Sequence, residues 1–201
     1  MKMAKVVVIE NVSLDGVMQA PARPDEDTRG GFRHGGWGVP YSDAVYGAEM
    51  GKRMGRGGAL LLGRLTYENL YSVWPKRKDN PYTEVLNKTQ KYVASRTLQE
   101  PLPWMNSILL KGDAEETVAK LKGEVGGNLA VLGSGDLAQT LLKHNLVDEL
   151  LLSIHPLTLG DGKRLFPEPG VLARFKLVES VPTTTGVIIA EYHAIEPNTG
   201  A

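Results

Sequence analysis

Cysteine is absent from the 201 residues of this chain. Without cysteine the protein has no disulfides, no thiolate metal ligands and no cysteine nucleophile, which fits a cytoplasmic protein. Net charge is also lacking, because 23 basic residues balance 23 acidic ones. A neutral chain has no overall attraction to nucleic acid or to an anionic membrane, so we expect neither as a partner. Any anion site must therefore be local.

Long hydrophobic runs are missing as well. The apolar stretch from Val6 to Ile9 is too short for a signal-peptide core or a membrane span, and it predicts a first strand. No internal repeat or low-complexity tract occurs. With 42% hydrophobic residues, a chain of this length can bury one core. We therefore expect a single domain over residues 1–201, with its core at about 4–196.

Apolar runs alternate with helical patterns along most of the chain. The predicted strands are Val6–Ile9, Ala59–Leu62, Lys91–Ser95, Ser107–Leu110, Leu129–Leu132 and Glu149–Ile154. Helices are predicted from an N-cap at Ser42 to Gly55, after Gly63, from a capping box at Asp113 and Glu116, and after Gly135. Phe175–Val181 and Val187–Ile195 alternate apolar and polar residues, as in an antiparallel hairpin. The sequence thus predicts an α/β fold with a mixed, mostly parallel sheet flanked by helices and closed by that hairpin.

A long loop rich in glycine and proline follows the first strand, at residues 17–38. Loops of this length in a compact domain are either disordered or functional. Phe32 and Trp37 give this one something to pack with, which favours a functional loop. Such a loop could exclude water from a site, as a lid does.

Ligands of such sheets bind beyond the carboxyl ends of the strands. Gly63 allows a tight turn into a helix whose first N–H groups, with Arg64 and the Thr66 hydroxyl, suit a phosphate. The alternative is an ordinary helix start with a solvated arginine. Ser95 ends the next predicted strand and Arg96 follows it, where they could hold the phosphate that distinguishes NADP from NAD, or simply face solvent.

Two further strand ends carry weaker patterns. Gly133 to Ala138 matches the G-x-G-x-x-A fingerprint between strand and helix. The acidic residue expected after the following strand is missing, so a standard Rossmann domain is not predicted. The amides can still bind an anion, and a simple tight turn is the alternative. Ser13-Leu14-Asp15-Gly16 can bind a ligand or form an ordinary turn.

In order and spacing, these segments resemble the dihydrofolate-reductase-like family, especially the reductase domain of bacterial riboflavin biosynthesis and its stand-alone relatives. The segments that carry the resemblance are Ser13–Gly16, Gly63–Glu68, Lys91–Ser95, Gly133–Gly135, Leu146–Leu150 and Gly160–Phe166. Together they span nearly the whole chain. The resemblance implies a dihydrofolate-reductase-like fold, NADPH as cofactor, a small-molecule substrate and a homodimer.

The resemblance also implies roles for particular residues. Its cofactor-binding residues would be Asn11, Gly63, Arg64, Thr66, Ser95, Arg96, Gly133, Ser134, Gly135 and Leu137. Its substrate-binding residues would be Ser13, Asp15, Trp37 and Asp43. Asp15 and Asp43 would be the catalytic, substrate-orienting carboxylates. For Asp43, a helix-stabilising role at the first turn is the alternative.

The reaction implied is hydride transfer from nicotinamide C4 to an electrophilic C=N or C=O carbon. A true dihydrofolate reductase and a non-enzymatic NADP-binding protein on the same fold are the alternatives. Gly160–Phe166 lacks the Ser or Thr that ends a Walker loop, and we interpret it as structural. The four histidines lie far apart and no zinc-deaminase signature occurs, so no metal site is predicted.

Overall fold

The computed structural model describes residues 3–54, 56, 58–80 and 82–195. Its strands are β1 (Lys5–Ser13), β2 (Ala59–Gly63), β3 (Lys91–Ser95), β4 (Ser107–Lys111), β5 (Asn128–Leu132), β6 (Glu149–His155), β7 (Phe175–Pro182) and β8 (Ile188–Ala194). Its α-helices are α1 (Ala44–Met54), α2 (Arg64–Val73), α3 (Tyr82–Lys88), α4 (Ala114–Glu124) and α5 (Gly135–Lys143). Among the residues described, no helix is long and apolar enough to cross a membrane.

The strands form a mixed sheet in the order β4-β3-β2-β5-β1-β6-β8-β7. β2 pairs in parallel with β3 and β5, and β3 pairs in parallel with β4. β8 runs antiparallel to both β6 and β7, which places the C-terminal hairpin at one edge. The predicted fold class is therefore confirmed.

By its contacts the chain divides into two compact units. One comprises Met1–Val7 and Gly57–Leu146, and the other comprises Val8–Arg56 and Val147–Ala201, so β1 contributes to both. The single domain over 1–201 stays a prediction, and its core limit at 196 and the helix end at Gly55 lie outside the described residues.

The first unit has a core of apolar strands covered by α2. Leu62 of β2 and Val93 of β3 are fully buried, as parallel strands with helices on them require. Tyr67 of α2 packs in the same cluster as Trp104. Its hydroxyl accepts a 3.0 Å hydrogen bond from the backbone N–H of Trp104. This packing fixes α2, and with it the turn at Gly63, on the end of β2.

A buried lysine holds the helix that sequence patterns did not reveal. α3 has only seven residues and exposes Val85, so it lacks a long apolar period. Lys91 lies inside the first unit, where its Nζ donates to the carbonyls of Leu86 and Thr89 at 2.6 Å. Burial lowers the pKa of Lys91 to about 8. A cation on the last carbonyls stabilises this short helix.

Three local expectations were wrong in detail. β1 runs on to Ser13 rather than ending at Ile9, because Glu10 is buried within the strand despite its charge. Asp43, not Ser42, caps α1, since its Oδ1 accepts the Tyr46 N–H at 2.6 Å. Asp113 precedes α4 as expected, but its side chain makes no capping hydrogen bond.

In the second unit, the long loop is packed rather than open. Phe32 and Trp37 are buried together with Val17 and Ala20 in one apolar cluster. The Trp37 Nε1–H donates to the carbonyl of Gln19 at 2.7 Å. The loop thus has a core of its own, as the two aromatic residues suggested, and its action as a lid stays a prediction.

Residues 157–165, here called the strap, bind this loop at its start. The N–H of Met18 donates to the carbonyl of Lys163, and the N–H of Leu165 donates to that of Gly16. Gln19 accepts the N–H of Lys163 through its side-chain oxygen at 2.9 Å. These contacts agree with the structural interpretation of the glycine-rich segment.

Gly162 of the strap tests this packing, because its φ is +110° and a Cβ would lie 2.7 Å from Phe32 and 2.8 Å from Val17. Gly162→Ala should lower the free energy of unfolding by about 2–4 kcal/mol, from backbone strain and overpacking together. Gly160→Ala is the matched control, with φ +75° and no atom near its Cβ. Gly160→Ala should lower the free energy of unfolding only through added backbone strain, by about 1–2 kcal/mol. Equal losses in urea unfolding would contradict the packing described.

Candidate functional site

A hydrogen bond joins two strand-to-helix turns in the first unit. The N–H of Gly63, between β2 and α2, donates to the Ser134 Oγ, between β5 and α5, at 3.0 Å. The Ser134 hydroxyl in turn lies 3.2 Å from the carbonyl of Leu132, to which it donates. Because β2 and β5 are parallel neighbours, their carboxyl ends bring these turns to one edge of the sheet. The starts of α2 and α5 therefore lie side by side.

Neither helix start is closed by a side chain. Gly63 and Ser134 occupy the two N-cap positions, and neither makes a side-chain capping bond to its own helix. The first N–H groups of a helix have no acceptor within it, so they and the positive end of the helix dipole attract an anion. Two such ends together suit a group with two linked phosphates.

The remaining contacts of these turns hold their backbone. The Thr66 hydroxyl donates to the carbonyl of Gly133 at 2.9 Å, which leaves its oxygen lone pairs but not its proton for other partners. Gly133 has a φ of +57°, which favours glycine. Leu137 lies next to Gly63, whose Cβ, if present, would be 3.8 Å from that of Leu137. The structure thus brings five of the sequence-predicted cofactor residues together here, and Arg64 and Gly135 adjoin them in the chain.

Arg64 leaves the first turn of α2 toward solvent. Its guanidinium pairs with Glu68, one helical turn later, at 3.0 Å, and both side chains are about two-fifths exposed, at 42% and 44%. An exposed pair of this kind contributes little to stability. Arg64 is therefore accessible to a ligand without being needed by the core.

Ser95 and Arg96 stand at the end of β3, beside β2. Ser95 Oγ accepts the N–H groups of Thr97 and Leu98, both at 3.1 Å, and so shapes the turn. Arg96 is 79% exposed and lies 3.7 Å from a carboxylate oxygen of Asp113. The Ser95 hydroxyl oxygen thus accepts hydrogen bonds from the backbone of the following turn, while the Arg96 guanidinium extends into solvent.

In the second unit, Asn11 is the centre of a polar cluster at the carboxyl ends of β1 and β6. Its Oδ1 accepts a hydrogen bond from the Tyr46 hydroxyl at 2.9 Å and contacts His155 Nε2 at 3.0 Å. Because a carboxamide oxygen only accepts, Nε2 is the protonated nitrogen of His155. The Asn11 Nδ2 makes no hydrogen bond within the described part of the chain.

Three aromatic rings enclose His155. Trp37 meets it edge-on with centroids 5.0 Å apart, and Tyr41 and Tyr46 follow at 5.6 Å and 6.3 Å. The imidazole is 2% exposed, and its Nδ1 is buried without a hydrogen-bond partner. Burial lowers the pKa of His155 to about 4, so the ring is neutral at physiological pH.

Asp15 is engaged by its own turn. Its carboxylate accepts the Ser13 hydroxyl at 2.6 Å and the N–H groups of Leu159 and Gly160 in the strap. The bond from Ser13, followed by those from Gly160 and Leu159, lowers the pKa of Asp15 to about 2. Ser13 and Asp15 therefore connect the exit of β1 to the strap.

Asp43 is engaged on both oxygens. Oδ1 caps α1, and Oδ2 accepts the hydroxyl of Thr184 at 2.5 Å and the N–H groups of Thr184 and Thr185. The Thr184 hydroxyl is the main cause of a lowered pKa for this carboxyl. These contacts are the ones expected if Asp43 stabilises the start of the helix, which is the alternative to a substrate-binding role. The catalytic and substrate-binding roles of Asp15 and Asp43 stay predictions.

Sequence reasoning missed Tyr46 and His155. His155 directly follows the predicted strand Glu149–Ile154, which is the signal that could have indicated it, but its partners come from distant segments. Tyr46 lies inside the helix predicted from Ser42 to Gly55, and no local pattern distinguishes it from the other residues of that helix.

Another cluster bears on the prediction that no metal is bound. Glu149, Glu191 and His193 bring one potential ligand atom each within 4.8 Å of one another. Glu191 is also paired with Arg56 at 2.9 Å and lies 3.9 Å from Arg53. The two guanidinium groups already supply positive charge to this carboxylate and disfavour a further cation. The prediction of no metal remains a prediction.

Comparison with known proteins gives consistent matches. Residues 4–189 match the family model of the RibD C-terminal domain. The uncharacterized protein YyaP of Bacillus subtilis is 34% identical over 139 residues, covering 67% of this chain and 72% of its own. A putative riboflavin biosynthesis protein from Shewanella sp. PV-4 has a TM-score of 0.65 and 24% identity, with 96% of this chain and 99% of that chain covered. A dihydrofolate reductase from Enterococcus faecalis, complexed with NADP(H), has a TM-score of 0.57 and 15% identity, with 94% and 96% covered.

His155 should make stability depend on pH. Its pKa is about 4 in the folded protein against 6.5 ordinarily, so protonation favours unfolding, and stability is lost as pH falls from about 6.5 toward 4. At pH 4.5 the loss should reach about 2.5 kcal/mol relative to pH 7.5. His155→Gln should lack this component in urea unfolding, while His144→Gln, at an exposed position, should keep it. Parallel pH curves for the parent and His155→Gln would contradict a buried neutral imidazole.

Proposed function

Since the chain belongs to the RibD C-terminal domain family, we propose that it is an NADPH-dependent reductase that transfers hydride to a small heterocyclic, carbonyl or imine substrate. The relatives named above support this, because one is described as a riboflavin biosynthesis protein and another is a dihydrofolate reductase complexed with NADP(H). We further propose a cytoplasmic homodimer.

The observation that carries the proposal is the bond between the Gly63 N–H and the Ser134 hydroxyl. It sets two helix starts without side-chain caps side by side, and the first N–H groups of a helix are suitable donors to pyrophosphate oxygens. The donor set of the first unit thus fits a dinucleotide. NADPH, when bound, supplies the hydride, and the protein supplies binding and orientation.

Within this proposal, the two arginines have different tasks. Arg64, in the first turn of α2, would pair with the pyrophosphate in place of Glu68. Arg96, beyond β3, would bind the additional phosphate of the adenosine ribose, beside Ser95. Arginine suits both tasks, because its forked donors fit phosphate oxygens.

In the second unit, the predicted substrate contacts are Ser13, Asp15, Trp37 and Asp43, and Asn11, predicted with the cofactor residues, lies in the same unit. Asn11 is the one with an unused donor, its Nδ2. Asp15 and Asp43 have low pKa values and accept hydrogen bonds from the protein, so we assign them the task of positioning the surrounding loops. This weighs against a true dihydrofolate reductase, because resemblance to those enzymes implies a carboxylate near this point of the chain that binds the pteridine ring of the substrate. A non-enzymatic NADP-binding protein would bind the cofactor without turnover.

Two arginine variants test the cofactor site through binding alone. Arg64→Ala should raise the Kd of both NADPH and NADH, because both carry the pyrophosphate. Arg96→Ala should raise the Kd of NADPH only. Loss of one charge-assisted hydrogen bond, about 1.5–3 kcal/mol, corresponds to about a 10- to 150-fold change.

The control is Lys120→Ala, which removes a cation from an exposed pair with Glu124 on α4. Titration calorimetry with each nucleotide should show no change for this variant, and none of the three variants should unfold at a markedly lower temperature. Parent-like NADPH binding by Arg64→Ala would place the cofactor elsewhere. An equal loss of NADH and NADPH affinity in Arg96→Ala would remove its assigned role.

A further inference from the structure

Tyr46 of α1, in the second unit, has its phenol hydroxyl hydrogen-bonded to Asn11 near the carboxyl end of β1. Its hydroxyl donates to Asn11 Oδ1 at 2.9 Å, and the ring is half-buried against His155. β1 and β6, which carry Asn11 and His155, are neighbours in the sheet, and both residues lie at or near the carboxyl ends of these strands. That is the edge at which open α/β sheets bind their ligands.

Hydride addition to a C=N or C=O carbon leaves an anion on nitrogen or oxygen, which must receive a proton. The carboxylates around this strand end are poor sources. Asp15 accepts three hydrogen bonds from the protein, and its pKa of about 2 leaves almost no acid form at neutral pH. Asp43 is engaged on both oxygens, and its pKa is also lowered.

His155 is a poor source as well. It is neutral, because burial lowers its pKa to about 4, and a neutral imidazole is a very weak acid. Its Nε2–H is already donated in a hydrogen bond to Asn11 Oδ1. By contrast, burial raises the pKa of Tyr46, against smaller opposing effects of hydrogen bonds with Ser153 and Asn11. The phenol of Tyr46 is therefore protonated at neutral pH, and it can give its proton to a stronger base.

We propose that the Tyr46 hydroxyl donates the proton that completes reduction of the substrate, and that Asn11, fixed by His155, positions this hydroxyl. This rests on the proposed reductase function. A substrate with an imine nitrogen or carbonyl oxygen at this strand end would replace Asn11 Oδ1 as the acceptor, which needs only rotation of the hydroxyl.

The step balances with NADPH as the reductant. The hydride forms a C–H bond at the electrophilic carbon, and the π electron pair of the C=N or C=O bond moves to the nitrogen or oxygen. The O–H bond of Tyr46 breaks as a new N–H or O–H bond forms. Such an anion is a stronger base than tyrosinate, so the proton moves to the substrate. Solvent water then returns a proton to the phenolate.

Tyr46→Phe tests the assignment, because it keeps the ring on His155 and removes only the hydroxyl. The probes are NADPH with dihydroisoquinoline, dihydrofolate and isatin, which offer C=N and C=O carbons. With the best acceptor, kcat should fall by about 100- to 10,000-fold, as for loss of a general acid, while KM stays near the parent value. Tyr41→Phe is the matched control, since Tyr41 also packs on His155 but its hydroxyl makes no hydrogen bond among the described residues.

Two further readouts separate acid catalysis from a structural role. Fluorotyrosine at position 46 lowers the pKa of the phenol, so the alkaline limb of the kcat profile should move to lower pH. His155 and Asp43, the titratable groups in contact with Tyr46, are unchanged by it. In the ligand-free protein, carbon-labelled tyrosine followed by NMR should show Tyr46 titrating at higher pH than free tyrosine.

The outcomes are distinct. Parent-like kcat in Tyr46→Phe, an unmoved pH profile with fluorotyrosine, or an equal loss in Tyr41→Phe would overturn the role of Tyr46 while leaving the reductase standing. Titration of Tyr46 at or below the pH of free tyrosine would also overturn it. No oxidation of NADPH with any acceptor by the parent protein would overturn the proposed function, and this inference with it.

Discussion

The hydrogen bond from the Gly63 N–H to the Ser134 hydroxyl is the constraint on which the first unit's candidate site depends. It engages the backbone N–H of Gly63 and the hydroxyl of Ser134, which is the N-cap residue of α5. α2 starts without a side-chain cap because its N-cap residue is glycine, and α5 because the Ser134 hydroxyl makes no bond to its own helix. The core beneath supports this arrangement, because Tyr67 fixes α2 and the parallel pairing of β2 and β5 fixes the distance between the turns.

In the second unit, long loops without regular structure are held in place by hydrogen bonds to side chains. Its carboxylates do much of this work: Asp15 connects the exit of β1 to the strap, and Asp43 connects α1 to the turn before β8. Carboxylates used in this way have low pKa values and few free lone pairs. We therefore assign the proton chemistry at this strand end to a neutral group, the phenol of Tyr46, whose hydroxyl is held by Asn11.

Much of the fold could be predicted because parallel strands buried on both faces are short apolar runs, and these are visible in a single sequence. β2, β3 and β5 were found this way, and the alternation in the tail indicated the hairpin of β7 and β8. α3 could not be predicted, because seven residues give no period and its stability depends on Lys91, which follows it. The continuation of β1 through Glu10 was likewise hidden, since a charged residue breaks the apolar run.

Within the candidate sites, predictability followed the range of the contacts. The turns at Gly63 and Gly133 were visible because glycine, hydroxyl and strand end are neighbours in sequence. Asn11, Tyr46 and His155 meet across 35 and 144 residues, so no local pattern relates them. For Asp43, the residue type alone could not distinguish a ligand contact from a helix cap, and the decisive partner, Thr184, lies 141 residues away.

Amide chemical-shift mapping with NADP⁺ tests the central claim most directly, which is that the paired starts of α2 and α5 bind the cofactor pyrophosphate. The largest and saturable shifts should fall on the backbone N–H groups of Arg64 to Thr66 and of Gly135 to Leu137. Shifts confined to other parts of the chain, or none at saturating NADP⁺, would contradict it.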